Sequence, residues 1–370
     1  MIILEIRCFF NQIIMNLKLG NLNVFYTLVG LNCKAMKYPK KVVIGDITVR
    51  DGYQHEEKFI PTEAKLWMLE NLLLAGFKHL EVTNFGNPKG MPQFSDADEL
   101  FKKIRTSKKV AHLIDDASLT AITIREKSVE RAIEAKLKGF GPDRILLMVS
   151  TSESHHLKNS GLTLDQYWKM AEEQIKKAHA AGIKVNGTVS TIWGCPIEGP
   201  TDLNKAIDFT QRWFDIGADD VEHADHDGSA SPNRVFEYYS MLQEKVGMTH
   251  KQIVHFHTTR GWGSANVLAA LQAGMTNFEA TMGGIGGQPA NFVDGVPVAG
   301  TGSYYYKDPN LVGLISTEDL VVMLDEMGIE TNLDIDKVLE VGQMNERIVG
   351  RRLRSESIKN GRVPKSLTGR

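Results

Sequence analysis

The chain has little cysteine, no long apolar run and almost no excess of charge of either sign. Three cysteines in 370 residues, Cys8, Cys33 and Cys195, are too few and too scattered for a disulfide framework or a thiolate zinc site, so a reducing, cytoplasmic setting is expected. No stretch approaches the roughly 20 consecutive apolar residues of a membrane span, and no membrane association is expected. A formal net charge of -2 gives no electrostatic case for nucleic acid as a partner. Also missing is a Gly-x-Gly-x-x-Gly turn after the first strand, which disfavours an open dinucleotide-binding sheet.

What is there has the make-up of a soluble enzyme with a sizeable core: 42% apolar and 24% charged residues. Residues 1–40 stand apart. They are rich in Ile and Phe, but Glu5 and Arg7 interrupt the run and no small-residue cleavage site follows. They read as an N-terminal extension, with the functional chain starting near Met36; an amphipathic docking segment is the alternative.

From Lys41 onward short β-type runs alternate with longer helical patterns, the rhythm of a parallel sheet. Strands are expected at 42–47, 79–83, 110–114, 144–149, 184–191, 220–224, 253–257 and 277–281. Eight strands with intervening helices predict an α/β fold, a closed (β/α)8 TIM barrel over 41–316 that includes a long loop after the eighth strand. A C-terminal helical extension follows over 317–350, with Thr317 as a plausible cap and a second helix at 335–348. Residues 351–370 are basic and punctuated by Gly and Pro, and read as a solvated tail.

His255 and His257 organise the chemistry. In a strand, residues i and i+2 project to one face, so both imidazoles emerge together. That is the spacing of a metal pair, although two satisfied histidines at a strand end would give the same pattern. Barrel active sites lie at the C-terminal ends of the strands, where Arg50, Asp51, Glu81, Asp225, His226 and the histidine pair all fall. Asp51, His255 and His257, with water or substrate oxygens, suit a divalent cation such as Mg²⁺, Mn²⁺ or Zn²⁺. Arg50 is permanently charged and can stabilise an enolate oxygen; a surface ion pair in a turn is the plainer reading of Arg50-Asp51. Among lesser candidates, His155 and His156 read as solvated in a polar loop, and Cys195 as a small buried residue. His223 is expected to pack against helices while Asp225 faces the site. Tyr304, Tyr305 and Tyr306 sit in a long insertion that reads as a lid or an oligomer contact.

Assembled in order, these motifs resemble 3-hydroxy-3-methylglutaryl-CoA lyase and, more broadly, the DRE-TIM metallolyases, a pyruvate carboxyltransferase-like superfamily that includes isopropylmalate and citramalate synthases. Arg50-Asp51-Gly52-Tyr53-Gln54-His55-Glu56 is similar to the lyase signature R-D-G-x-Q-N-E. Glu81-Val82-Thr83-Asn84-Phe85 is similar to its second-strand segment, Gly194-Cys195-Pro196-Ile197-Glu198-Gly199 to a G-C-P-x-E-G element, and Thr317-Glu318-Asp319-Leu320-Val321 to the start of a late helix. The resemblance implies metal binding by Asp51, His255 and His257, catalytic roles for Arg50, Glu81 and Asp225, and substrate contacts from Gln54 and Gln288.

Three departures stand out. Gln288 occupies the place of the family's catalytic cysteine, and an amide cannot donate a proton as a thiol does. Thr258 replaces an Asp after the second histidine. The family's Asn ligand before the late helix falls at Gly313 or Leu314, so Asn291 or Asn310 would have to substitute. With the thiol gone, His226 is the candidate for part of the proton traffic; a strand-end cap is its alternative reading. The resemblance therefore implies a metal-dependent carbon–carbon lyase acting on an acyl-CoA or related hydroxy acid, as a homo-oligomer. A Claisen-type acyltransferase and a degenerate acyl-CoA-binding barrel are the alternatives.

Overall fold

The structure is a computed structural model that describes residues 37–287 except 55, 196 and 227, the backbone of 291–293 and 296–298, and residues 313–364. Eight parallel strands follow in chain order: β1 Val43–Asp46, β2 His79–Asn84, β3 Ser118–Ile122, β4 Arg144–Ser150, β5 Lys184–Ser190, β6 Asp220–Asp225, β7 Gln252–Phe256 and β8 Asn277–Ala280. Pairing of β1 with β8, from Val43↔Asn277 to Asp46↔Ala280, closes them into a barrel. The sequence-predicted α/β barrel is therefore present, and every strand is covered on both faces, as parallel strands require.

The surrounding helices are α1 Thr62–Leu74, α2 Ala97–Arg105, α3 Glu126–Leu137, α4 Glu153–Ser160, α5 Leu164–Ala180, α6 Leu203–Asp215, α7 Pro232–Lys245 and α8 Gly263–Gln272. Beyond β8 come a two-stranded antiparallel hairpin, β9 Asn291–Val293 and β10 Val296–Val298, and then α9 Thr317–Glu326, α10 Ile335–Val349 and α11 Glu356–Asn360. Among the described residues no helix is long and apolar enough to cross a membrane.

Most of the apolar core lies between strands and helices. Trp168 of α5 and Trp213 of α6 are buried and meet edge to face, with centroids 4.8 Å apart. Burying a side chain of that size contributes on the order of 2–3 kcal/mol. The Trp213 indole can come this close only because β5 carries Gly187 opposite it. A Cβ there would sit 2.3 Å from the ring.

Three boundaries differ from the sequence reading. The third strand is β3, 118–122, and not 110–114. Val110, Leu113 and Ile114 have the i, i+3, i+4 spacing of a helical turn, and the backbone follows it: the amides of Leu113 and Ile114 both donate to Val110 O. Residues 351–364 are not a solvated tail. Leu353 and Ser355 are buried, α11 forms with Ser355 as its cap, and Arg351 and Arg362 pair with Glu56 and Asp325. Ser316, not Thr317, caps α9 by accepting from the Asp319 amide; the Thr317 hydroxyl instead donates to Asp46 on β1 at 2.8 Å.

Candidate active site

The loop after β1 is one wide helical turn, Thr48–Gly52, in which the amides of Arg50, Asp51 and Gly52 all converge on Ile47 O. Such π-type turns are rare and recur at functional sites, because the extra residue re-aims the side chains. Here the turn delivers Arg50 and Asp51 side by side to the C-terminal rim of the barrel. The Arg50 guanidinium bonds the Asp51 carboxylate at 2.6 Å and Glu81 of β2 at 2.5 Å. All three are buried, and the two carboxylates hold Arg50 firmly protonated against the cost of burial. Burial alone would raise the Asp51 carboxyl, but Arg50, His257 and His255 and the Gly287 amide outweigh it and keep the group below its ordinary value. Gly286, at φ +109°, brings the glycine loop onto this carboxylate: a Cβ there would lie 2.7 Å from Asp51 Oδ1.

His255 is the last residue but one of β7, and His257 follows the strand directly after Phe256. Their ring atoms lie within 4.8 Å of an Asp51 oxygen. Each ring's other nitrogen is committed. His257 Nδ1 is 2.7 Å from the main-chain O of His226, and His255 Nδ1 is 3.2 Å from Glu279 of β8 with Glu222 of β6 at 3.5 Å. A carbonyl can only accept, so His257 keeps its single proton on Nδ1, and an ionised Glu279 holds the His255 proton on Nδ1 in the same way. Two Nε2 lone pairs then face each other at 3.3 Å, beside a carboxylate. A proton between them would create an imidazolium, which burial opposes at His255. A divalent cation satisfies all three groups, and the outer carboxylate and carbonyl partners are those that metal-bound histidines use. The residues therefore fit a metal. The Asn candidates for a further ligand, Asn291 and Asn310, have side chains outside the described residues.

A cavity of about 770 Å³ opens above this cluster, lined by Arg50, Asp51, His255 and His257 at one end. Ile122, Ile124, Leu146 and Met148 of the β3 and β4 side form an apolar wall, and Arg125 and Lys127 edge the same space. Gln54 lines it as well, as does Gly287. Gln288 itself lies outside the described residues, as does the Tyr304–Tyr306 segment.

Strand β6 corrects one expectation. Glu222, Ala224 and His226 line the cavity, at i, i+2 and i+4, whereas Asp225 shares the other face with His223, two residues away. The Asp225 carboxylate accepts from the amides of Ser229 and Ala230, at 3.0 and 3.2 Å, and so shapes the loop after the strand. His223 packs against α7 as expected, between the Tyr238 hydroxyl at 2.8 Å and Gln252 at 2.7 Å.

His155 and His156 are also placed differently from the sequence reading. They belong to α4, capped by Ser152, and both are buried. A run this polar has the pattern of a loop, and it is helical and buried here because its packing partners come from other elements. His155 Nε2 lies 2.8 Å from His226 Nε2. Sequence reasoning missed Glu222 and Glu279 altogether. Their signal was an ionisable residue in the middle of a buried strand, where burial pushes both carboxyls upward.

Comparison with known proteins agrees with this geometry. The profile of the HMGL-like family matches residues 41–344. The hydroxymethylglutaryl-CoA lyase of Bacillus subtilis strain 168 is 29% identical over 323 residues, 87% of this chain and 98% of the relative. The mitochondrial enzyme of Bos taurus is 30% identical over 319 residues, 86% of this chain and 89% of the relative. Among solved structures, the B. subtilis HMG-CoA lyase superposes with a TM-score of 0.76 at 29% identity, covering 88% of this chain and 99% of that one. An HMG-CoA lyase from Acinetobacter baumannii, in complex with coenzyme A and 3-methylmalate, superposes with a TM-score of 0.75 at 29% identity, covering 87% and 96%. The carboxyl transferase domain of Rhizobium etli pyruvate carboxylase, at 17% identity and a TM-score of 0.60, shares the fold. With its closed barrel, its Asp51, His255 and His257 cluster and a family match over most of its length, this chain belongs to the HMGL-like family.

Proposed function

We propose that the chain is a divalent-metal-dependent carbon–carbon lyase of the hydroxymethylglutaryl-CoA lyase type, cleaving a branched 3-hydroxyacyl-CoA or a related hydroxy acid through an enolate. The observation that carries this is the convergence of the two Nε2 lone pairs and the Asp51 carboxylate beside Arg50 at one end of a substrate-sized cavity. Relatives of nearly the same length that bear the lyase name favour this over an acyltransferase.

Asp51, His255 and His257 would hold the cation, one of Mg²⁺, Mn²⁺ or Zn²⁺. When bound, it supplies Lewis acidity toward a hydroxyl and a neighbouring carbonyl oxygen. Arg50 is the charged partner for the enolate oxygen that develops as the C–C bond breaks, and Glu81 holds its guanidinium in place through the bond described above. Gln54 is the substrate-binding amide on the described side of the cavity, and Gln288, following Gly287 in the chain, is the second. The apolar wall suits an alkyl branch, and Arg125 and Lys127 suit the phosphates of a coenzyme A moiety. His226 lines the cavity and takes the proton-carrying role that the family gives to cysteine. Asp225 positions the loop that carries His226.

The free thiol of Cys195 is consistent with a reducing, cytoplasmic compartment. The deciding experiment incubates the protein with 3-hydroxy-3-methylglutaryl-CoA and each of the three cations and follows acetyl-CoA and the keto acid. Metal-loaded protein that releases neither product would overturn the substrate assignment.

A further inference from the structure

His226 does not stand alone at the cavity wall. Its Nε2 meets His155 Nε2 at 2.8 Å, and His155 Nδ1 meets the Ser150 hydroxyl at 2.5 Å. Ser150 Oγ is 2.8 Å from Ser190 Oγ, and the Ser190 hydroxyl donates to Val149 O at 3.2 Å. Every member except His226 is set by a regular element. Ser150 and Ser190 end β4 and β5 and are direct partners in the β4–β5 ladder. His155 lies in the first turn of α4, its amide bonded to the Ser152 cap.

A main-chain carbonyl cannot donate, and this gives the chain a direction. With the Ser190 proton on Val149 O, Ser190 Oγ accepts from Ser150. Ser150 Oγ then accepts from His155 Nδ1–H. A neutral His155 is left with a lone pair on Nε2, so the proton between the two rings belongs to His226. The Asn159 amide nitrogen stands 3.3 Å from His155 Nδ1 and 3.4 Å from Nε2 and does not choose between them, so the direction comes from the serine–carbonyl end. Reversing the direction would leave Val149 O without the proton that Ser190 gives it. Burial keeps the His155 ring neutral, its pKa lowered to about 4, so it has one proton to give and that proton goes to Ser150.

We infer that His155 is a positioning residue that, through Ser150 and Ser190, locks His226 in the Nε2–H tautomer and so makes Nδ1 its proton-accepting nitrogen. This rests on the proposed proton-carrying role of His226 and specifies which atom performs it. In the lyase step Nδ1 takes the substrate hydroxyl proton. The C–C bond breaks as its electron pair becomes the enolate, and Nδ1–H returns the same proton to the enolate carbon. A histidine that flips between tautomers spends part of its time with the wrong nitrogen protonated. In this chain two serines, one histidine and one carbonyl remove that freedom.

The test is side-chain ¹H–¹⁵N correlation spectroscopy on the full-length ¹⁵N-labelled protein at pH 7.5, with resonances assigned from the His155 and His226 variants. The expected wild-type result is His226 protonated on Nε2 and His155 protonated on Nδ1. In His155→Leu, and separately in Ser150→Ala, His226 becomes a mixture of tautomers. Turnover then falls roughly tenfold in kcat with KM unchanged within about twofold, and His155→Gln, whose amide oxygen reaches the place of Nε2, restores most of it. A wild-type His226 protonated on Nδ1, or a tautomer that both variants leave unchanged, overturns the inference. If the tautomers are as expected but no hydroxyacyl-CoA is cleaved, the lock stands and the lyase assignment fails, so the two failures are separable.

Discussion

The Nε2 atoms of His255 and His257 lie 3.3 Å apart, and the other nitrogen of each ring is turned away, toward Glu279 and the His226 carbonyl. Two lone pairs aimed at each other beside a carboxylate need a cation. Purified protein is therefore expected to carry, or take up, about one divalent ion per chain, measured by elemental analysis after dialysis. His257→Ala and Asp51→Asn should each weaken that uptake by at least tenfold. Equal uptake by wild type and both variants would refute the ligand set.

Glu279 gives a separate handle on the same site. It accepts from the nitrogen of His255 that points away from the cluster, and Glu222 stands just behind it. Glu279→Gln can still accept from that nitrogen but carries no charge, so metal affinity should fall by about 10-fold, and Glu279→Ala by up to about 100-fold. Isothermal titration with Mn²⁺ reads this directly, whether or not the protein turns over substrate.

Arg50 sits between Asp51 and Glu81, with Glu81 Oε1 having no further partner among the described residues. Arg50→Lys keeps the charge but not the fork that reaches both carboxylates, and should lower kcat by roughly 10²-fold with metal affinity little changed. Arg50→Met leaves two buried carboxylates without their cation. It should lower stability by about 3–5 kcal/mol in urea unfolding. A kcat unchanged in Arg50→Lys would remove Arg50 from the chemistry.

Gly187→Ala tests the barrel wall. The new methyl would meet the Trp213 indole at 2.3 Å, well inside contact distance. Overpacking of this kind costs about 1–3 kcal/mol. Thermal unfolding should show it, and Gly187→Ala combined with Trp213→Phe should recover part of the loss because the smaller ring makes room.

Acid should destabilise the protein through its buried histidines. His223 is held at about 4, against an ordinary 6.5, by burial between Tyr238 and Gln252. The unfolded chain takes up a proton near pH 6.5 that the folded protein refuses until about pH 4. Stability is therefore complete above pH 6.5 and declines as pH falls through that window, by up to about 3 kcal/mol for this ring. His155 and His156, also held near 4, add to the same slope. Melting temperatures of metal-free protein from pH 7.5 to 4.5 should fall steeply, and less steeply in His223→Gln. An identical slope in the variant would show that His223 titrates normally.

The barrel was legible in the sequence because its signals are local. Alternating β and α patterns name the architecture, and the i, i+2 spacing of His255 and His257 already aims both rings one way. Where local pattern was ambiguous it misled. Val110 to Ile114 is apolar enough for a strand, yet its spacing is that of a helical turn. His155 and His156 sit in a run whose polarity reads as loop, and only α5 and the barrel rim bury them.

Sequence alone determined the set of ionisable residues at the strand ends, the covalent neighbours Arg50 and Asp51, and the absence of a thiol at Gln288. Those follow from residue identity and backbone periodicity, which need no distant partner. Only the tertiary structure decided that Glu222 and Glu279 stand behind His255, that Asp225 turns to its own loop, and that His226 is gripped by a histidine 71 positions earlier. The physical reason is barrel closure. It sets which residues from separate strands become neighbours, and the direction of each hydrogen bond then depends on what those neighbours can donate or accept.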